Sequence, residues 1–177
     1  MEKTAISTGQ DFTSVLPLFK ELILETGVRP QDNLVFAGCP GPCYSMSTFF
    51  GFGIRDLGLN LFFAADAEID RLWRLEGDEE LGMVAAGRSA PVKAKTIVLM
   101  SGLCTLPVER TQKLIESALA VDGVLVGEAP ALGFFEEREW DRKIPFDYLF
   151  EFSMVDPTSF RVRQGGKPRG RPQKAPA

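Results

Sequence analysis

The chain has 177 residues, 45% of them hydrophobic and 25% charged, which suits one folded domain with a single core of ordinary size. Its net charge of −4 is unevenly spread: residues 164–177 carry Lys167, Arg169, Arg171 and Lys174 and no acid, leaving 16 bases against 24 acids, or −8, in the rest. There is no histidine, which excludes the commonest general base and the commonest metal ligand together.

No apolar run approaches the roughly 18–20 residues of a membrane span, and the start Met1-Glu2-Lys3-Thr4 lacks a signal peptide's basic and apolar regions. Three cysteines fit a reducing compartment better than a disulfide scaffold. The expected location is the cytoplasm, with no membrane partner.

Asp11 is the expected N-cap of a first helix. Phe12, Val15, Leu16, Phe19, Leu22 and Ile23 recur at helical spacing, Pro17 should bend or delay that helix, and Gly27 should stop it. Residues 33–37 form an apolar first strand. The Gly/Pro/Cys loop 38–43 and a helix running to Gly58 follow, which is the opening of an α/β unit. Residues 60–64 form a second strand whose continuous apolar character fits burial on both faces. Asp66 is expected to begin a short helix through Ile69, Leu72 and Trp73, and 81–86 is a weaker strand.

Residues 96–100, TIVLM, form the next strand and lead into Ser101-Gly102-Leu103-Cys104. A helix from Pro107 carries Val108, Thr111, Leu114, Ile115, Ala118 and Leu119 on one face and should end at Gly123. Residues 124–126 form a strand, Leu132, Phe134 and Phe135 a short helix, and 146–152 an alternating aromatic strand. Phe160 and Val162 fit an edge strand. The Gly/Pro-rich basic residues 164–177 read as a disordered tail behind a single α/β domain, residues 1–163.

This alternation predicts a three-layer, Rossmann-like or flavodoxin-like α/β fold. Its sheet should be mostly parallel, with about five to six strands and helices on both faces. The loops 38–43, 101–104 and 127–130 should then gather at the carboxyl ends of the strands, where open α/β sheets bind ligands.

The motifs Gly38-Cys39-Pro40-Gly41-Pro42-Cys43, Thr96-Ile97-Val98-Leu99-Met100-Ser101-Gly102-Leu103, 127–135 and Ile144-Pro145-Phe146-Asp147-Tyr148 resemble those of an archaeal family of unknown function. It is found mainly in methanogens and is numbered 2124 among the unnamed domains. The likeness covers roughly residues 33–162. The family's Pro-Gly-x-Cys loop is matched by Pro40-Gly41-Pro42-Cys43. The cysteine that often follows its later glycine is replaced here by Glu128, while Cys39 and Cys104 look like additions. The resemblance implies an α/β fold and a methanogen's cytoplasm, and brings no established activity.

Within the loop, the N–H groups of Gly41, Cys43, Tyr44 and Ser45, with the Ser45 hydroxyl, are the expected donors to a phosphate or carboxylate at a helix start. Gly38, Cys39, Ser101, Gly102, Cys104 and Glu128 complete the expected ligand-binding set. Pro40 and Pro42 reduce the donor count, and neither G-x-G-x-x-G nor a P-loop lysine is present. The plainer reading is a sharp strand-to-helix turn without a ligand.

Cys43, close to a helix start, is expected to have a lowered pKa, and Cys43 and Glu128 are the catalytic candidates. Three converging thiolates, Cys39, Cys43 and Cys104, would hold zinc or an iron–sulfur cluster with an open position. C-x-x-x-C is not zinc-knuckle spacing, however, and cysteine often simply fills space. Asp66 falls where a dinucleotide fold places its ribose-binding acid, although a cap is the simpler role.

The tail sequence Pro168-Arg169-Gly170-Arg171-Pro172 is similar to the core of an AT-hook. Arg169 and Arg171 would enter the minor groove beside Gly170, with Pro172 and Pro168 keeping the segment extended. Three functions from different classes follow from the sequence: a small-anion or cofactor binder at loop 38–43, a DNA-associated protein, or a metal or iron–sulfur accessory factor. Whether it is an enzyme, and which cofactor it would use, stay open.

Overall fold

A computed structural model describes residues 3–153 of the chain. Asp11 caps a 3-10 turn, Phe12–Ser14, by accepting the Thr13 N–H, and α1 (Val15–Glu25) continues from it. Pro17 thus falls in the first turn of α1, where its missing N–H leaves no helical bond unmade.

Seven strands form one sheet. They are β1 (Asn33–Gly38), β2 (Asn60–Ala65), β3 (Leu72–Asp78), β4 (Gly82–Arg88), β5 (Ala94–Met100), β6 (Leu119–Ala129) and β7 (Tyr148–Glu151), in the order β4-β3-β2-β1-β5-β6-β7. The five strands β2, β1, β5, β6 and β7 pair in parallel, and β3 and β4 extend them as an antiparallel hairpin.

The expected count of five to six strands is corrected to seven, because the stretch from Leu72 is a strand. Ile69–Arg71 is only a 3-10 turn. Leu72 packs on one face of the sheet, and Trp73 and Leu75 on the other. That is the period of a strand; the spacing of Ile69, Leu72 and Trp73 imitates a helix over too short a window. The Asp78 carboxylate closes the hairpin by accepting the N–H groups of Glu80 (2.9 Å) and Leu81 (2.7 Å).

Gly123 does not end a helix. The helix α3 (Val108–Ala118) stops five residues earlier, and Leu119 opens β6 in extended conformation. A Cβ at Gly123 would stand 2.6 Å from Leu119 Cδ1 and 2.9 Å from the Ala120 carbonyl oxygen, so glycine is needed for the close approach of this bulged strand start. The expected edge strand around Phe160 and Val162 and the tail 164–177 lie outside the described residues.

Helices cover both faces. α1 and α2 (Pro42–Gly53) pack with Leu34, Phe36, Phe63, Val98, Met100 and Phe150. Leu114 and Ala118 of α3 and Phe135 of α4 (Phe134–Glu137) pack with Val35, Ala37, Ile97, Leu99 and Leu125 on the other side. Alternate residues of each central strand enter opposite cores, which explains their uninterrupted apolar runs. The chain leaves β1 towards β2 and leaves β5 towards β6, in opposite directions along the sheet. A constant crossover hand then puts α2 and α3 on opposite faces, which makes the ends of β1 and β5 the point at which open α/β sheets form a crevice. No helix among the described residues is long and apolar enough to cross a membrane.

Candidate functional site

At this point the last residue of β1 and the turn that follows β5 meet. Gly38 ends β1, and its carbonyl accepts the Asp66 N–H at 2.9 Å. Gly41 takes φ +81°, a left-handed conformation that suits glycine, and Pro42 opens α2. This turn brings the Cys39 and Cys43 sulfurs to 3.1 Å from each other. From β5, the 3-10 turn Ser101–Thr105 lays Gly102 directly against them. A Cβ on Gly102 would stand 2.4 Å from Cys43 Sγ and 2.5 Å from Cys39 Sγ; one on Gly38 would stand 2.3 Å from Cys43 Cβ. A glycine at the end of β1 and a glycine in the turn after β5 therefore form the seat of the thiol pair.

The thiols differ in access. Cys43 is buried and Cys39 half-buried. Burial, joined by the hydrogen bond with Cys39, pushes the Cys43 thiol up to about 12, against backbone hydrogen bonds from Cys39 and Gly102. The expected lowered pKa is therefore corrected: desolvation outweighs the helix N-terminus. Cys104 does not join the pair. It packs in the opposite core, and burial raises its pKa to about 11, partly offset by the charge of Arg138. Among the described residues no group of three or more His, Cys, Asp or Glu side chains is placed to hold a metal ion. The expected three-thiolate zinc or iron–sulfur site of Cys39, Cys43 and Cys104 is corrected accordingly.

Glu128, the other catalytic candidate, lies near the end of β6. It pairs in register with Met100 and Phe150 and lies on their face of the sheet, the face covered by α1 and α2. It is 2% exposed. Burial pushes its pKa up to about 7, opposed by a hydrogen bond from the Ser101 N–H. Successive backbone groups of one turn thus serve both partners: Ser101 holds Glu128, and Gly102 holds Cys43.

The other expected donors fare unevenly. Ser45 is engaged within the turn: its N–H and its hydroxyl both donate to the Gly41 carbonyl, at 2.9 and 3.1 Å. Its place as a donor to a ligand is corrected, because the first helical turn closes through it. Tyr44 sends its ring against Phe63, and its hydroxyl accepts the Ala85 N–H at 3.2 Å, so its side chain packs α2 onto the sheet. The loop's remaining donors are the N–H groups of Gly41, Cys43 and Tyr44.

Two features escaped the sequence. Asp66 and Ala67 both take left-handed φ values, 56° and 59°, beside Gly38 at the end of β2. Asp66 is consequently not the cap of a helix. Two consecutive non-glycine residues in this region cost about 1 kcal/mol or more each, and only the tolerance of aspartate for this region was a signal. The second feature is a polar cleft of about 370 Å³ among Arg29, Asp32, Lys93, Lys95 and Asp122. It lies beyond the opposite, amino ends of the strands, and its Lys95 is already bonded to Asp122 at 2.9 Å.

Residues 10–155 match the model of a family described as an uncharacterized protein conserved in archaea, DUF2124. The chain belongs to this family. An uncharacterized protein of Methanocaldococcus jannaschii is 27% identical over 139 residues, covering 75% of this chain and 80% of its own. An uncharacterized protein of Methanothermobacter thermautotrophicus is 27% identical over 130 residues, covering 71% and 81%. The fold is also that of a crystal structure of a protein of unknown function from Methanothermobacter thermautotrophicus, with a TM-score of 0.80, 22% identity, and 92% and 100% of the two chains covered. These likenesses establish the archaeal family and the α/β fold. The assignment of the crevice rests on the geometry above.

Proposed function

We propose that the protein is a cytoplasmic domain with a three-layer, Rossmann-like or flavodoxin-like arrangement, binding a small anionic ligand or cofactor in the crevice between β1 and β5. The observation that carries this reading is the strand order. The parallel strands β2-β1-β5-β6-β7 diverge between β1 and β5, as in the 2-1-3-4-5 order whose ligands sit at that divergence. The N–H groups of Gly41, Cys43 and Tyr44 at the start of α2 supply the donors and partial positive charge an anion needs. The left-handed Asp66 and Ala67 add support, because backbone strain of this kind concentrates at ligand sites.

The test is a calorimetric titration of full-length protein with inorganic phosphate, AMP and FMN, repeated on Gly41→Ala. Left-handed φ at Gly41 disfavours alanine by about 1 kcal/mol and displaces the loop's donors, so binding should weaken by roughly tenfold. No binding of any of the three by the wild type, or unchanged binding by the variant, contradicts this reading.

The tail supplies a second reading, favoured by the sequence Pro168-Arg169-Gly170-Arg171-Pro172 alone. In it the basic tail holds A·T-rich DNA by the minor groove while the acidic body stays clear.

A further inference from the structure

Two cysteine sulfurs at 3.1 Å are closer than packing requires and only about 1 Å beyond the length of a disulfide. The seat that holds them is made by absence of side chains at Gly38, which ends β1, and Gly102, in the turn that follows the neighbouring strand β5. Access is graded across the pair: Cys39 is half-buried, and Cys43 is buried behind it. Cys104 is also half-buried but packs in the other core, away from the pair.

We propose that Cys39 and Cys43 form a thiol–disulfide exchange site whose substrate is the disulfide of a low-molecular-weight thiol. The Cys39 thiolate attacks one sulfur of the substrate R–S–S–R. A Cys39–S–S–R bond forms, the substrate S–S bond breaks, and the departing R–S⁻ takes up the proton that Cys39 gave to solvent. Cys43 then loses its proton to solvent and its sulfur attacks Cys39 Sγ. The Cys39–Cys43 bond forms and the second R–S⁻ leaves and is protonated. Two protein thiols are oxidised and one disulfide is reduced to two thiols, so electrons and protons balance. The reverse sequence reduces the protein. The accessible thiol is the one that meets the substrate, and the buried one resolves the mixed disulfide. This division follows from the sulfur geometry and does not depend on an anion occupying the crevice.

The experiment equilibrates reduced, full-length wild-type protein, free of oxygen, with mixtures of reduced and oxidised glutathione. The thiols are then trapped and the chain mapped by peptide mass spectrometry. The principal oxidised product should be the Cys39–Cys43 disulfide. In Cys43→Ser the mixed disulfide on Cys39 has no resolving thiol and should accumulate at least about tenfold over wild type. Gly102→Ala is a second variant: its methyl group would stand 2.4 Å from Cys43 Sγ and 2.5 Å from Cys39 Sγ and should slow closure of the pair. A wild-type protein that stays fully reduced across the mixtures overturns the proposal. So does wild-type Cys39 that retains glutathione as fully as Cys43→Ser, or glutathione that collects on Cys104 in preference to Cys39. None of these outcomes bears on the phosphate, AMP and FMN titrations, so the two readings fail separately.

Discussion

Gly102 carries the Cys39–Cys43 pair on its bare α-carbon: a methyl group there would lie 2.4 Å from one sulfur and 2.5 Å from the other. Gly102→Ala should therefore destabilise the fold by about 1–3 kcal/mol, the usual cost of forcing an extra methyl into a packed core. Urea unfolding reads this as a lower midpoint at unchanged slope. The loss should shrink in the Gly102→Ala/Cys43→Ala double variant, because one of the two sulfurs in the way is gone; additive losses would mean the two residues do not meet.

Alkylation should follow access. Cys43 is 5% exposed with its thiol pushed up to about 12, whereas Cys39 is half-buried at the loop. Iodoacetamide near neutral pH should modify Cys39 at least about tenfold faster than Cys43. Faster labelling of Cys43 would restore the helix N-terminus as the dominant influence on that thiol.

Glu128 gives the fold a pH dependence whose sign is fixed by its raised pKa of about 7 against an ordinary 4.5. Between those two values the folded protein holds a proton that the unfolded chain has lost. Stability is therefore greatest below about pH 4.5 as far as this group is concerned, falls as the pH rises towards 7, and is flat above that. The full span is roughly 3 kcal/mol, taking about 1.4 kcal/mol per unit. Glu128→Gln should abolish this slope and stabilise the protein at pH 8 by about 1–3 kcal/mol. Equal pH profiles for variant and wild type between pH 4.5 and 7 would show that Glu128 is not buried as a neutral acid.

The tail reading has its own test. Lys167, Arg169, Arg171 and Lys174 supply at most four charges, so the slope of log affinity against log salt should be about −3 to −4, with preference for A·T-rich duplex. A chain truncated after Arg163 should lose this binding. Equal binding by both chains, or none by either, removes DNA from the account.

The central strands were plain in the sequence because each is an apolar run buried on both faces, as at Leu34, Val35, Phe36 and Ala37. The hairpin was harder. Leu72 and Leu75 alternate faces over a few residues broken by a bulge after Arg74, and the same letters satisfy a short helix. At the end of β1, the glycines and prolines of loop 38–43 announced the turn, and the strand alternation announced that the turn after β5 would lie beside it; of the third expected loop, residues 127–129 belong to β6. What stayed hidden was the burial of Cys43. It depends on Gly102, 59 positions away in the turn after β5, and local spacing carries no trace of such a contact. The left-handed Asp66 and Ala67 were hidden for a related reason, since the end of β2 and not local preference sets their conformation.

The most direct test of the crevice between β1 and β5 as the ligand site is amide chemical-shift mapping of the full-length protein with phosphate, AMP and FMN. Saturable shifts should centre on Gly41, Cys43, Tyr44, Ser101 and Gly102. Shifts centred instead on Arg29, Lys93, Lys95 and Asp122, which line the cleft at the opposite edge, or no saturable shifts with any of the three, would contradict it.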